Sequence, residues 1–326
     1  MADDPSPVDA PTLGLLARLL RPLGELRGAE RLEGGFFATT YRATLVGGER
    51  LVVKTAPTGD DRLLTYERDL LHAEAEVYRL AADRGLPMPR LRLADFSREV
   101  LPGDVVVAEH LEGVPWDRAG LAADDPRSAR ACREVGAFMA RLHAITGTRF
   151  GYLGSRVGGG TWPVAFGAVI EALLADGRHW EVALPADEIR DAVARHVDAL
   201  AEVRVPSLVH GDLWPGNVFV DPASGGLVGV IDPERAQWAD PLVELVGFDQ
   251  SNRGPTPSEL LAGYAATGGH LDVSSDRAVR RLALYRVQMS LIWLVETVPR
   301  GYEPEFADWY TTTARANLRG ALDALA

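Results

Sequence analysis

Asp212 and Asn217 stand five positions apart in VHGDLWPGNVFV, residues 209–220, and Asp232 closes the apolar run GLVGVID. If 217–220 and 227–231 pair as a hairpin, Asn217 and Asp232 meet at its open end. Two oxygen donors there, with Asp212 close by, suit a hard cation. Magnesium fits, because it takes oxygen ligands and usually needs only one or two protein groups. Taken singly, the same residues fit plain structure. Trp214-Pro215-Gly216-Asn217 is a good turn sequence, and Asp232-Pro233 is a common turn or helix start. Their order along one hairpin favours a site.

A second group lies upstream. LVVKTA places Lys54 in a strand whose two faces both look apolar. A lysine there costs stability unless it meets an anion. Glu74, on the helix that follows, is the candidate partner, with Glu67 and Glu76 as rivals. Gly34-Gly35 lies between two extended runs. A glycine turn lets backbone N–H groups approach a phosphate, although Gly-Gly is also an ordinary hairpin turn.

The elements that must hold these residues change character along the chain. Between about 25 and 112, short β-type runs recur: FFATTYRATL, ERLVVKTA, RLRLADFS and DVVVAEHL. The first two read as a hairpin turned at Gly47-Gly48. One helical segment, roughly 62–83, interrupts them. From about 124 onward helices dominate: one opening at DDPRSAR with an Asp cap and a Pro in its first turn, then 165–178, 186–202, 257–267, 275–298 and 303–325. One β-island breaks this series, the 217–232 hairpin. The expected fold class is therefore α+β in two lobes. Residues 1–24 are read as a tail, loose to about residue 10, and a leading helix. Residues 25–112 make a small β-rich N-terminal lobe, and 113–326 a large, mainly helical C-terminal lobe, with Gly113, Val114 and Pro115 at the boundary.

The totals exclude several classes. The 326 residues carry a formal net charge of −12. That disfavours nucleic acid, whose binding needs a basic face, and it fits a cationic ligand or a merely soluble surface. The single cysteine, Cys132, rules out an intrachain disulfide and reads as helix packing. No apolar run has the ~18 residues of a membrane span, and the acidic start lacks a signal-peptide pattern. A cytoplasmic protein is the expectation.

The order of glycine turn, VVK, EAEVYRLAADRGLPMPR, VVVAEHLEG, VGAFMARLHAI, HGDLWPGN, GVIDPE and ADPLVEL resembles the aminoglycoside phosphotransferase family, itself similar to choline and fructosamine kinases. The D-x-x-x-x-N spacing also matches the catalytic loop of protein kinases. The resemblance runs from about 30 to 250. It implies a protein-kinase-like fold, ATP and Mg²⁺ as cofactors, and a small-molecule hydroxyl acceptor. It makes Asp212 the catalytic aspartate, Asn217 and Asp232 the metal ligands, and Lys54 with Glu74 the phosphate-gripping pair. It adds Gly34 and Gly35 in the nucleotide loop, and backbone groups of Glu109 and Leu111 at the adenine edge. His210 becomes a structural hydrogen-bonder, and Asp240 an aspartate that holds the catalytic loop. One departure stands out. Glu244 occupies the region where the family often has another Asp.

The acceptor is less defined. Trp214, Glu234, Asp249, Trp293 and Glu296 are candidate lining residues. Acidic groups among them suit an amino sugar or a cationic peptide antibiotic. Trp293 equally fits a core position, because MSLIWLVETV is apolar nearly all round. The Gly-rich stretch 150–163 reads either as a mobile lid or as a surface connector. Trp162 within it could stack on a sugar or nucleobase, which keeps a nucleoside-type acceptor open. The resemblance suggests an antibiotic-modifying role. Rival readings are a metabolic kinase of a sugar, amino alcohol or glycated amine, and a non-catalytic nucleotide-binding pseudokinase. A protein kinase is disfavoured, since little room follows Asp232 for an activation loop. The chain is expected to act as a monomer or homodimer, away from membranes.

Overall fold

Alternation decides the first sheet. Ala43, Leu45, Leu51, Val53, Val105 and Val107 are all buried and all pack on one face, against Leu16, Leu19 and Leu20 of the leading helix. With a side-chain period of two, Lys54 therefore lies on the opposite face. The computed structural model describes residues 6–32, 38–56 and 62–326. Gly34 and Gly35, the expected nucleotide-loop glycines, lie outside the described residues.

Two units make up the chain. One takes residues up to 61 together with 74–112; the other takes 62–73 with 113–326. The first contains β1 (Ser6–Pro7), α1 (Ala10–Leu20), β2 (Leu26–Leu32), β3 (Thr39–Leu45), β4 (Arg50–Thr55), the larger part of α2 (Leu70–Asp83), β5 (Leu91–Asp95) and β6 (Val105–Glu109). Its strands run in the order β1-β2-β3-β4-β6-β5, every pair antiparallel. The β3–β4 hairpin turns at Val46–Gly48, as the glycine pair predicts. Residues 6–10 are not a loose tail. Ser6 and Pro7 pair with Arg31 and Glu30, and Asp9 caps α1 by accepting from the Thr12 N–H. A proline is admissible there because β1 is an edge strand.

In the second unit come β7 (Val114–Pro115), α3 (Pro126–His143), β8 (Phe150–Tyr152), β9 (Gly158–Gly159), α4 (Trp162–His179), α5 (Ala186–Arg195), α6 (Val197–Leu200), β10 (Ser207–Val209), β11 (Val218–Val220), β12 (Leu227–Val230), β13 (Gln237–Ala239), α7 (Val243–Phe248), α8 (Ser258–Ala266), α9 (Asp276–Arg300) and α10 (Pro304–Ala324). α3 starts as the sequence predicts, with the Asp125 side chain capping and Pro126 in the first turn. α9 is buried on almost every side from Leu284 to Glu296, which is why its sequence lacks a polar face. Two small sheets, β10-β13-β8-β9 and β12-β11-β7, flank one loop. That loop, 210–217, leaves β10 and enters β11.

The Gly-rich stretch 150–163 joins α3 to α4 and is in part paired strand, with exposed residues at 154, 156, 160 and 161. Phe150 and Gly151 pair with Gly159 and Gly158. A Cβ on Gly151, at φ +126°, would stand 2.4 Å from the Val157 carbonyl oxygen. Here glycine permits close backbone packing. Trp162 is fully buried and donates its indole N–H to the Tyr285 hydroxyl at 2.8 Å, so it stacks on no ligand. No helix among the described residues is long and apolar enough to cross a membrane.

Candidate active site

In the first unit, β4 holds Lys54 between Thr40 of β3 and Val106 of β6. Its ammonium donates to Glu74 Oε2 at 3.0 Å. Side-chain exposures of 12% and 1% make this a buried pair. Such a pair is weak evidence for stability, since desolvation offsets much of the attraction. It holds the ammonium on the face away from α1. Glu67, one rival partner, instead pairs with Arg300 within the second unit, and Glu76 faces Arg79. At the end of β6, the Glu109 N–H donates to the Arg90 carbonyl at 3.0 Å. Any bond from Glu109 to a base edge therefore runs through its carbonyl.

In the second unit, loop 210–217 is built from the inside out. Leu213 is fully buried and anchors it, while Trp214 stands exposed with its ring over Gly216. Gly211 has φ +79°, and a Cβ there would lie 2.5 Å from the Arg235 carbonyl oxygen, so the position requires glycine. His210 donates from Nε2 to the Ile231 carbonyl at 2.9 Å, and its Nδ1 accepts the Asp212 N–H at 3.2 Å. Both ring nitrogens are thus engaged in the neutral tautomer, which leaves no base.

Asp212 is held by two amides. Asn217 Nδ2 donates to Asp212 Oδ2 at 3.0 Å and to its carbonyl at 2.8 Å. Gln250 Nε2 donates to Asp212 Oδ1 at 2.5 Å. Burial, helped by the charge of Asp232, pushes the Asp212 carboxyl above its ordinary value. Arg235 and the Gln250 bond oppose this without reversing it. The carboxylate keeps basic character while fixed in orientation.

Asn217 also accepts the Ile231 N–H on its carbonyl at 3.0 Å, one residue before Asp232. β11 and β12 pair Val218 with Val230, so Asn217 and Asp232 share the open end of this hairpin. Asp232 leaves the strand at φ +67°, a left-handed turn that Asp tolerates better than most residues. The Asn217 amide nitrogen is committed to Asp212, so its side-chain oxygen is the atom a cation would use. An amide oxygen and a carboxylate are donors that magnesium accepts. Glu234 sits half-buried in the 3₁₀ turn just after.

Three candidate acceptor residues are otherwise engaged. Trp293 is buried and stacks on Tyr310 with ring centroids 3.9 Å apart. Glu296, 1% exposed, accepts from Arg235 at 2.8 Å and from the Tyr310 hydroxyl at 2.5 Å. The Asp249 carboxylate accepts the Arg253 and Gly254 N–H groups and so closes its own turn. Asp240 binds the Tyr285 hydroxyl at 2.7 Å, the Leu242 N–H at 3.1 Å and the Arg281 guanidinium at 2.9 Å. These tie α7 to α9, not to the loop.

The loop is held instead by Glu244, which had drawn notice only as a departure. Its two carboxylate oxygens accept the N–H groups of His210 at 2.6 Å and Gly211 at 3.0 Å. Gln250 and Arg235 went unnoticed. No short motif marks them, because each partner lies dozens of residues away.

These features meet known proteins at this point. The model of a phosphotransferase enzyme family matches residues 28–285, so the chain belongs to that family and is a phosphotransferase. Solved structures share the fold. A protein assigned as a fructosamine-3-kinase, from Thermobifida fusca, is 21% identical over 94% of this chain and 98% of its own, with a TM-score of 0.67. A thermostable mutant of the aminoglycoside phosphotransferase APH(4)-Ia, in ternary complex with AMP-PNP and hygromycin B, is 20% identical over 93% and 97%, at 0.62. A macrolide 2'-phosphotransferase type I is 20% identical over 96% and 98%, at 0.61.

One consequence concerns the first unit alone. Replacing Lys54 with methionine removes one half of a buried ion pair, a change that typically costs about 3–5 kcal/mol. A thermal melt checks that loss. If Lys54 also grips phosphate, calorimetric titration with AMP-PNP should show Kd rising roughly 10- to 100-fold, the worth of one charge-assisted contact.

Proposed function

We propose that this phosphotransferase moves the γ-phosphate of ATP to a hydroxyl of a small molecule, of the antibiotic type: an aminoglycoside, a cationic peptide or a nucleoside. The observation that carries the chemistry is Asp212, a carboxylate pinned by two amides beside the Asn217–Asp232 hairpin end. Asp212 orients the acceptor hydroxyl and takes its proton. Lys54 binds the α- and β-phosphates. Asn217 and Asp232 are the residues that would hold Mg²⁺, which when bound neutralises phosphate charge. Little covalent work falls to the protein, so positioning and charge dominate. Intact Lys54, Asp212, Asn217 and Asp232 argue against a non-catalytic nucleotide binder.

The net charge of −12 fits a cationic molecule, and two structural relatives carry names of antibiotic phosphotransferases. The relative assigned as a fructosamine-3-kinase favours the second reading, a metabolic kinase of a sugar, amino alcohol or glycated amine. A mass-shift screen separates them. The protein, ATP and Mg²⁺ are incubated with aminoglycosides, peptide and nucleoside antibiotics, macrolides, sugars, amino alcohols and glycated amines, with Asp212→Asn as control. One phosphoryl group gained on one antibiotic class supports the first reading, and on a glycated amine or sugar the second. Nucleotide binding without transfer to any acceptor sinks both.

A further inference from the structure

Asp212 is grasped from two sides, and the two sides differ. Asn217 takes Oδ2 from the hairpin end that also carries Asp232. Gln250 takes Oδ1 from the turn after α7. That turn is rigidly tied. The Arg286 guanidinium donates to the carbonyls of Asp249 at 2.6 Å and Gln250 at 2.9 Å. The Asp249 carboxylate holds the N–H groups of Arg253 and Gly254. The orientation of the Gln250 amide is settled by its neighbours. Its nitrogen faces a carboxylate oxygen and, at 3.3 Å, the Gly247 carbonyl, both acceptors. Its Oε1 therefore points elsewhere. That oxygen accepts from no described residue, and it is not among the sealed, unsatisfied atoms of the interior. An acceptor with no partner among the described residues thus stands on the amide whose nitrogen lies 2.5 Å from Asp212 Oδ1.

We propose that Asp212 and Gln250 form one recognition unit, and that the acceptor carries a hydrogen-bond donor, hydroxyl or ammonium, on the carbon next to its reacting hydroxyl. This rests on the reading of Asp212 as the acceptor-side carboxylate. The reacting hydroxyl donates to the remaining lone pair of Asp212 Oδ1, and the neighbouring group donates to Gln250 Oε1. Substituents on adjacent carbons are spaced to meet two such acceptors at once. In the transfer, the acceptor oxygen bonds to the γ-phosphorus and the bridging P–O bond to the β-phosphate breaks. ADP leaves with that electron pair, and the hydroxyl proton passes to Asp212. Gln250 forms no covalent bond. It fixes the carboxylate, and it selects 1,2-diols and 1,2-amino alcohols over isolated alcohols.

The test uses three probes that differ at one position: trans-1,2-cyclohexanediol, trans-2-aminocyclohexanol and cyclohexanol. Phosphoryl transfer from ATP is followed by mass for wild type and Gln250→Met, each checked for unchanged AMP-PNP affinity and melting temperature. Wild type should favour the two vicinal probes over cyclohexanol by roughly 10-fold in kcat/KM, the worth of one added hydrogen bond. Gln250→Met should bring the three probes within about threefold of one another, which a purely structural role for Gln250 would not do. Equal rates on all three probes with wild type overturn the proposal. So does discrimination that survives Gln250→Met, or the absence of transfer to both vicinal probes. If the broader screen places phosphate on a hydroxyl with no neighbouring donor, this inference fails while the phosphotransferase reading stands. Failure of transfer across the whole screen removes both.

Discussion

Asp212→Asn is expected to lower kcat by about three orders of magnitude, the middle of the range for losing a positioned base, with AMP-PNP affinity changed less than about threefold. The reason lies in the two amides. Asparagine has the same shape, but one of its two terminal atoms is a donor. Asn217 and Gln250 both present N–H groups to the carboxylate, so one of them would face another N–H. The residue loses its ability to take a proton and also its fixed orientation. Asp232→Asn should behave differently. It keeps Asp212 intact, so the defect should appear first as loss of Mg²⁺-dependent nucleotide binding. Titration of AMP-PNP with and without Mg²⁺, beside single-turnover kinetics, separates the two. Turnover of Asp212→Asn within tenfold of wild type would remove Asp212 from the chemistry.

How much of this was legible depended on the distance over which each signal acts. Lys54 stood out because one charge interrupts an apolar strand, and its partner lies twenty residues on in the next helix. The hairpin was legible because Asn217 and Asp232 flank two short β-type runs joined by a glycine turn. β8, β9, β10 and β13 were not, since strands of two or three residues carry no measurable alternation. Composition was ambiguous at 150–163, where glycines that admit close backbone contact look the same as glycines that permit movement. It misled at Glu296 and Asp249. Acidic residues near a cleft suggest a cationic ligand, but here one is saturated by Arg235 and Tyr310 and the other by its own turn. Arg235 and Gln250 carry no sequence signal, because their roles exist only once α7 and α9 have packed.

Glu244→Gln is expected to destabilise the protein by about 2–4 kcal/mol, through a buried hydrogen-bonded charge that can no longer satisfy both donors. The carboxylate is fully buried, with its two oxygens on the successive N–H groups of His210 and Gly211. Glutamine accepts one of them and turns its own NH₂ toward the other. The loop then loses a tether at the residue before Asp212, so activity should fall along with the melting temperature. Acidity should reproduce part of this loss in the wild type. Burial pushes the Glu244 carboxyl up, but the imidazole of His143 at 3.5 Å, together with the backbone N–H of His210, outweighs it and holds the group below its ordinary value. A carboxyl depressed in the fold contributes stability that is complete above its ordinary value near 4.5. That stability fades as pH falls through the lower folded value. The wild type should therefore lose more stability than Glu244→Gln between neutral and acid pH, and the two melting curves should converge. Parallel curves across that range would show that the Glu244 charge contributes nothing to holding loop 210–217.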